Sequence, residues 1–161
     1  MGVAGCGKSS VATLVAQATG LRLIEGDDHH STCAREKMRQ GIALTDADRD
    51  GWLTTLGTLL RAHPEGVVLT CSALKRAYRE RLRSAVPGLR FAFLEISREA
   101  ALARVCARAP SHFFSSSLVD SQFTTLENPV GEAGVIRLAA MAPLVELQDQ
   151  IRAWLHTKET A

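Results

Sequence analysis

The sequence lacks the features of secreted and membrane-spanning proteins. Its four cysteines, Cys6, Cys33, Cys71 and Cys106, form no Cys-x-x-Cys pair, which argues against a disulfide framework or a zinc site. No apolar run approaches the ~20 residues that a membrane span needs. The glycine-rich start is also unlike a secretion signal. We therefore expect a cytoplasmic protein that has no membrane partner.

Charge and aromatic residues are also sparse. The formal net charge is only +2, no basic tract is present, and the chain has five Phe, two Trp and one Tyr. A nucleic-acid-binding protein usually carries a basic face with interleaved aromatic residues. Nucleic acid is therefore not expected as a partner. A length of 161 residues fits a single domain, residues 1–161, with a sizeable core.

What the chain does contain is a complete phosphate-binding loop. Residues 2–9 follow the pattern Gly-x-x-x-x-Gly-Lys-Ser, and residues 10–19 then show helical spacing up to Gly20. Such a loop surrounds nucleotide phosphates with backbone N–H groups, while its lysine reaches the β/γ oxygens and its serine ligates Mg²⁺. The pattern predicts binding of ATP and Mg²⁺, the metal at Ser9. The predicted nucleotide-binding residues are Gly2, Gly5, Cys6, Gly7, Lys8, Ser9 and Ser10.

Short β-like runs alternate with longer helical ones along the rest of the chain. Strands are predicted near residues 21–25, 67–71, 91–96 and 134–138, with helices between them. This alternation predicts an α/β fold, a three-layer, doubly wound parallel sheet of the P-loop nucleoside-triphosphate kinase type. In such sheets ligands gather at the carboxyl ends of the strands.

The strand that normally precedes a phosphate-binding loop is missing from this chain, since only Met1 stands before Gly2. In this fold that strand is central and usually ~5–6 residues long. Two explanations are open: a start codon assigned too late, which we favour, or a shortened chain that folds with a gap beside the loop.

Polar residues follow the predicted strands. Asp27 and Asp28 come directly after the first, where one of them can accept the proton of a substrate hydroxyl, although a turn and helix cap also explain one carboxylate. Arg49 can bind an anionic substrate or pair locally with Asp46 or Asp48. Among the basic residues after the second strand we favour Lys75 and Arg79, four apart on one helix face.

A polar, Ser-rich segment forms the predicted lid, approximately residues 108–120. An arginine on a closing lid can stabilise the charge of a phosphoryl-transfer transition state. Arg104 and Arg108 are the candidates for this role. Lys8 and Asp27 are the other predicted catalytic residues. His112 is read equally as a substrate contact or as a hinge residue packed on the lid.

Several segments together resemble the gluconokinase family of small P-loop kinases, in family order from residue 1 to about 130. They include Glu25-Gly26-Asp27-Asp28-His29-His30, Leu44-Thr45-Asp46-Ala47-Asp48-Arg49, Cys71-Ser72-Ala73-Leu74-Lys75 and His112-Phe113-Phe114. The resemblance implies ATP and Mg²⁺ at Lys8 and Ser9, a lid that brings arginine to the phosphates, and commonly a homodimer. It also implies a gluconate site near Asp27, His30, Arg49, Lys75 and Arg79. Asp28 and His112 are further candidate substrate-binding residues.

The resulting interpretation is ATP-dependent phosphorylation of D-gluconate to 6-phospho-D-gluconate. Two alternatives stay open from the residues. One is another small-molecule P-loop kinase, acting on shikimate or a related sugar acid. The other is a catalytically impaired nucleotide-binding protein, which binds ATP without acceptor-dependent turnover.

Overall fold

The computed structural model describes residues 1–107 and 116–157, and across these residues helices and parallel strands alternate. The strands are β1 (Arg22–Glu25), β2 (Val67–Thr70), β3 (Phe91–Glu95) and β4 (Val135–Ala139). The helices are α1 (Lys8–Thr19), α2 (Thr32–Arg39), α3 (Asp46–Arg61), α4 (Arg76–Ala85), α5 (Arg98–Ala107), α6 (Ser116–Thr125) and α7 (Leu144–His156). A 3₁₀ turn, Gly26–His29, follows β1.

The strands form two parallel pairs. β1 runs beside β2, with Arg22 opposite Val67, and β3 runs beside β4, with Phe91 opposite Val135. Met1 links the pairs: its amino group donates to Ala92 O at 2.6 Å and its carbonyl accepts from Leu94 N at 3.0 Å. Gly2 N then donates to Ser72 O, just beyond β2, at 3.2 Å. Burial lowers the pKa of the Met1 amino group to about 6.

Alternate strand residues enter two separate cores, because successive side chains of a strand point to opposite faces. Val68, Leu94 and Leu138 pack in one core with Val11 and Val15 of α1 and with Leu147 and Ile151 of α7. Leu69, Phe91 and Val135 pack in the other with α3 and α4. The three-layer parallel α/β architecture predicted from the sequence is thereby confirmed.

Local sequence fixes where the site-bearing helices begin. α1 starts after Gly7, whose φ of +95° lies in the left-handed region that favours glycine. α3 starts with a capping box, in which Thr45 accepts from Asp48 N and Asp48 accepts from Thr45 N. Hydrogen bonds from Lys37 and Thr45 lower the pKa of Asp48 to about 2, so this carboxylate belongs to the cap.

The sequence missed one helix. Residues 116–120, assigned to the lid, are the first half of α6 rather than loop. Leu118 and Val119 of α6 are buried, and α6 packs against α5. None of the helices in residues 1–107 and 116–157 is both long and apolar enough to span a membrane.

Candidate active site

The phosphate-binding loop wraps tightly over the start of α5. Gly5 has φ +80°, and a Cβ at this position would lie 2.7 Å from Ala101 O, so a larger residue would displace the loop. Cys6 is 1 % exposed, packed in the core under the loop. Gly5, Gly7, Lys8, Ser9 and Ser10 face an open cavity, whereas Gly2 and Cys6 lie beneath it. The loop therefore faces the cavity on one side and packs against the core on the other.

The two polar side chains at the start of α1 point to different partners. Lys8 Nζ donates to Gly2 O and Val3 O, each at 3.0 Å, so the ammonium lies within the curve of the loop. Ser9 Oγ donates to Glu25 Oε2 at 3.1 Å, and Thr70 Oγ1 donates to the same oxygen at 2.5 Å. Glu25 ends β1 and lines the cavity. A hydroxyl and a carboxylate oxygen thus meet at the edge of the loop, and these hard oxygen donors suit Mg²⁺.

A close contact at the ends of β1 and β2 positions the paired aspartates. A Cβ on Gly26 would come within 2.2 Å of Thr70 O, so only glycine permits this approach. Gly26 N donates to Thr70 Oγ1 at 3.2 Å, and Gly26 O accepts from Trp52 Nε1 at 2.8 Å. The following 3₁₀ turn carries Asp27 and Asp28 to the cavity wall, where both are exposed.

His30 lies at the base of this wall. Its ring stacks on Trp52 with centroids 4.2 Å apart, and its Nε2 lies 3.9 Å from Asp27 Oδ1. Within the described residues Nδ1 is buried without a hydrogen-bond partner. Burial is the main cause that lowers the pKa of His30; Arg49 and Arg35 act in the same direction, and Asp27 opposes them. Burial therefore holds the imidazole neutral, and the His30 residue lines the cavity beside Asp27.

A single cavity of about 750 Å³ joins the loop to the aspartate wall. Arg49, from α3, reaches it on the aspartate side. Its Nη1 donates to Leu44 O at 2.5 Å and to Thr45 O at 3.5 Å, and its guanidinium lies 5.7 Å from the Tyr78 ring centroid. Among the described residues Arg49 forms no ion pair with Asp46 or Asp48. Arg49 therefore carries a positive charge into the cavity.

Lys75 and Arg79 lie outside the cavity lining, each paired to a carboxylate. Lys75 Nζ donates to both Asp46 oxygens at 2.7 and 2.8 Å, and Tyr78 Oη makes a short hydrogen bond to the same group. Those bonds lower the pKa of Asp46, and Asp46 raises the pKa of Lys75. Arg79 is fully buried and bonded to Glu132. Neither cation faces the predicted gluconate position directly.

Arg104 stands behind the loop. Its Nη1 donates to Gly5 O at 3.4 Å and its Nη2 to Ala140 O at 3.2 Å, and a Cβ on Gly7 would lie 3.7 Å from Nη1. These long hydrogen bonds to neutral carbonyls place the guanidinium behind Gly5, outside the cavity lining. The other predicted lid residues, Arg108 and His112, lie outside the described residues.

Sequence reasoning missed two cavity-lining side chains that hold the loop in place. Glu25 was read only as the end of a strand, although its acidity beside the Gly-Asp-Asp turn was a signal. Gln122, on α6, accepts a 2.6 Å hydrogen bond from Ala4 N of the loop. No local pattern marks Gln122, since it lies 118 residues from its partner.

Comparison with known proteins places this geometry in a family. A family model described as an AAA domain matches residues 1–129. The chain is 43 % identical over 156 residues to a gluconokinase from Gluconobacter oxydans, covering 94 % of this chain and 87 % of the relative. It is also 43 % identical over 141 residues to a probable gluconokinase from Schizosaccharomyces pombe, covering 82 % and 72 % of the two chains.

Solved structures agree with the sequence relatives. A gluconokinase from Sinorhizobium meliloti superimposes with a TM-score of 0.88 at 44 % identity, covering 96 % of this chain and 88 % of that one. Such a high identity and structural overlap extend the similarity to the whole described fold. They also agree with the P-loop kinase type predicted from residues 2–9.

Proposed function

Since the chain belongs to the gluconokinase family, we propose that its own cavity performs the family's ATP-dependent phosphorylation of D-gluconate to 6-phospho-D-gluconate. The observation that carries the assignment of roles is the cavity itself. One wall is a phosphate-binding loop, and the other wall carries the Asp27–Asp28 turn and the Arg49 guanidinium. A phosphate donor at the loop and a polyhydroxy anion at the aspartate wall can therefore face each other across one cavity.

ATP is proposed to bind at the loop end. The N–H groups of the loop and the start of α1 point at the phosphates, and the helix dipole favours their negative charge there. Lys8 exchanges the Gly2 and Val3 carbonyls for phosphate oxygens, gaining charge-assisted bonds in place of bonds to neutral groups. Arg104, from behind Gly5, adds positive charge as negative charge develops on the transferred group.

Mg²⁺ is proposed to bind at Ser9 and Glu25, whose oxygens already meet at the cavity edge. When bound, Mg²⁺ neutralises phosphate charge and orients the phosphates for in-line transfer. Glu25 is held in place by Thr70 and accepts a hydrogen bond from Ser9 Oγ, so it fixes the direction of the serine hydroxyl. These two residues thus form the chain's own part of a metal site.

D-gluconate is proposed to bind at the aspartate wall. Its carboxylate suits the planar fork of the Arg49 guanidinium. The Asp27 carboxylate is positioned to accept the proton of the attacking hydroxyl as the phosphoryl group moves. His30, held neutral by burial, lines the same part of the cavity. Asp28 lies on the same turn as a second contact.

Three other assignments stay proposals on narrower support. The first is a cytoplasmic location, which we propose because the four cysteines form no Cys-x-x-Cys pair in the sequence. A homodimer is implied by the family resemblance. The exposed apolar side chains of Met141, Leu144 and Val145 are the surface that we propose for its interface. Arg108 and His112 keep the lid roles assigned from the sequence.

The decisive experiment couples ADP release to a spectrophotometric readout, with D-gluconate, shikimate and related sugar acids offered separately. We expect ADP release only with ATP, Mg²⁺ and D-gluconate together. Binding of a fluorescent ATP analogue is measured in parallel. Nucleotide binding without gluconate-dependent ADP release would contradict the proposal and favour a nucleotide-binding protein without turnover, whereas release with shikimate alone would reassign the acceptor.

A further inference from the structure

The turn that follows β2, residues 72–75, connects both walls of the cavity. Ser72 lines the cavity, and its carbonyl accepts from Gly2 N at the base of the phosphate loop. Lys75, at the other end of the turn, bonds Asp46 beside Arg49. Between them, Ala73 has φ +44°, a conformation that residues with a Cβ rarely adopt. Such a turn persists only when its surroundings hold it.

The Arg79 guanidinium stabilises this turn through hydrogen bonds to its carbonyls. Its Nη1 donates to Ala73 O at 2.8 Å and to Leu74 O at 3.0 Å, the two carbonyls that follow the unusual φ of Ala73. Leu74 O also accepts from Glu127 N at 2.9 Å. Nη1 alone therefore bonds two successive carbonyls, and Nε and Nη2 of the same planar group are left for Glu132, a division that the single ammonium of a lysine cannot reproduce.

Glu132 makes this buried cation tolerable. It accepts from Arg79 Nη2 at 2.5 Å and from Nε at 3.0 and 3.1 Å, while Arg83 Nη1 bonds its Oε2 at 3.0 Å. Hydrogen bonding to Arg79 is the main cause that lowers the pKa of Glu132, which keeps it ionised. A buried charge without a partner is strongly unfavourable. Arg79 and Glu132 thus act as one neutral unit.

We propose that Arg79, with Glu132, is a positioning residue for the proposed gluconate phosphorylation and not a ligand of the substrate. The pair clamps the Ala73 and Leu74 carbonyls, and the clamped turn holds Ser72 at the cavity and Lys75 against Asp46. The inference rests on the proposed function for its kinetic consequence. Its structural content, a turn held by the ion pair, is independent of the reaction.

The kinetic test compares Arg79→Lys, Glu132→Gln and the double variant. A displaced turn is expected to lower kcat/KM for D-gluconate about 10–100-fold in each single variant. ATP-analogue affinity should stay within about threefold, since the loop keeps its own bonds. Residues that act as one unit are not additive, so the double variant should match the singles. Arg83→Ala is the matched control, because Arg83 bonds Glu132 without touching the turn, and it should stay within about twofold.

The alternative gives a different pattern. If Arg79 binds the gluconate carboxylate, Glu132→Gln frees it and retains kcat/KM within about twofold while Arg79→Lys loses it; that result overturns the proposal. Hydrogen exchange of the 72–78 and 127 amides provides a readout without turnover, and it should accelerate in Arg79→Lys and Glu132→Gln but not in Arg83→Ala. A wild-type protein without gluconate turnover defeats the proposed function, whereas unchanged exchange in both variants defeats the clamp.

Discussion

The cations near the two ends of the cavity differ in the groups to which they bond. At the loop end, the hydrogen bonds of Lys8 and Arg104 within residues 1–107 and 116–157 go to neutral backbone carbonyls. On the acceptor side, Lys75 and Arg79 are paired to the carboxylates of Asp46 and Glu132. Exchanging a carbonyl for a phosphate gains charge interaction, whereas exchanging a carboxylate for another anion gains little. Cations of the first kind are available to ligands, and those of the second kind shape the protein.

Arg49 is an acceptor-side cation that has no carboxylate partner among the described residues. It lines the cavity, and its hydrogen bonds go to the Leu44 and Thr45 carbonyls. By the same reasoning it belongs with Lys8 as a ligand-binding cation, although it lies near Lys75. The difference between the two kinds of cation therefore predicts which charge removals impair the reaction and which only loosen the structure.

The largest effect is expected at Lys8. Lys8→Ala removes the charge that faces the transferred phosphate, and kcat should fall about 10³-fold. The measurement is ADP release under saturating ATP and D-gluconate. Arg22→Ala, at an exposed position of β1, is the control and should leave kcat unchanged. Loss of less than tenfold in Lys8→Ala would show that a carbonyl-bonded cation is not by itself a phosphate ligand.

The next effect concerns the two aspartates of the 3₁₀ turn. Asp27→Asn keeps the size of the side chain but removes its capacity to take a proton, so kcat should fall about 10²–10³-fold. Asp28→Asn is the matched variant one residue away, and it should mainly raise the KM for D-gluconate. Full turnover in Asp27→Asn with loss in Asp28→Asn would reverse the assignment of the base.

A smaller effect separates Arg49 from Lys75. Arg49→Ala should raise the KM for D-gluconate about 10–100-fold, since a hydrogen bond to a charged group contributes about 1.5–3 kcal/mol. The KM for ATP should be unchanged. Lys75→Met leaves Asp46 bonded to Tyr78 and should raise the gluconate KM less than about fivefold, with a lower melting temperature. Equal KM increases in the two variants would remove the distinction between free and paired cations.

The sequence predicted the local features of the site better than its long-range contacts. The loop, its helix and the paired aspartates were predicted because each depends on a local pattern: spaced glycines, a lysine and serine, and acidic residues directly after a strand. The strand alternation likewise predicted the three layers. What these features share is that neighbours in the chain decide them.

The rest of the site depends on contacts between distant residues, and there the sequence was less informative. Arg79 was favoured from its spacing to Lys75, but its carboxylate partner lies 53 residues further along the chain. α6 was hidden in a Ser-rich stretch, and its role follows from the bond of Gln122 to the loop. A helical position can be read from spacing, whereas the pairing state of a buried cation cannot.

The smallest expected effect is on the pH dependence of stability, which depends on the burial of His30 and on the charges around it. Burial lowers its pKa in the folded protein below the ordinary value of 6.5. Below about pH 6.5 the unfolded chain takes up a proton that the folded protein does not, so the free energy of unfolding should fall with decreasing pH. The stabilisation that depends on neutral His30 should be fully present above about pH 6.5. The Met1 amino group contributes in the same direction, so denaturant unfolding of His30→Gln beside the wild type isolates the histidine.

Two further variants show which charges set that field. Asp27 raises the pKa of His30, whereas Arg49 lowers it. Asp27→Asn should therefore steepen the loss of stability between pH 6.5 and 5, and Arg49→Ala should flatten it. Lys75→Met should leave the slope unchanged, because its charge is already compensated by Asp46. If Lys75→Met flattens the slope as much as Arg49→Ala, the paired lysine still contributes its charge to the cavity, and a carboxylate partner does not suffice to separate structural from ligand-binding cations.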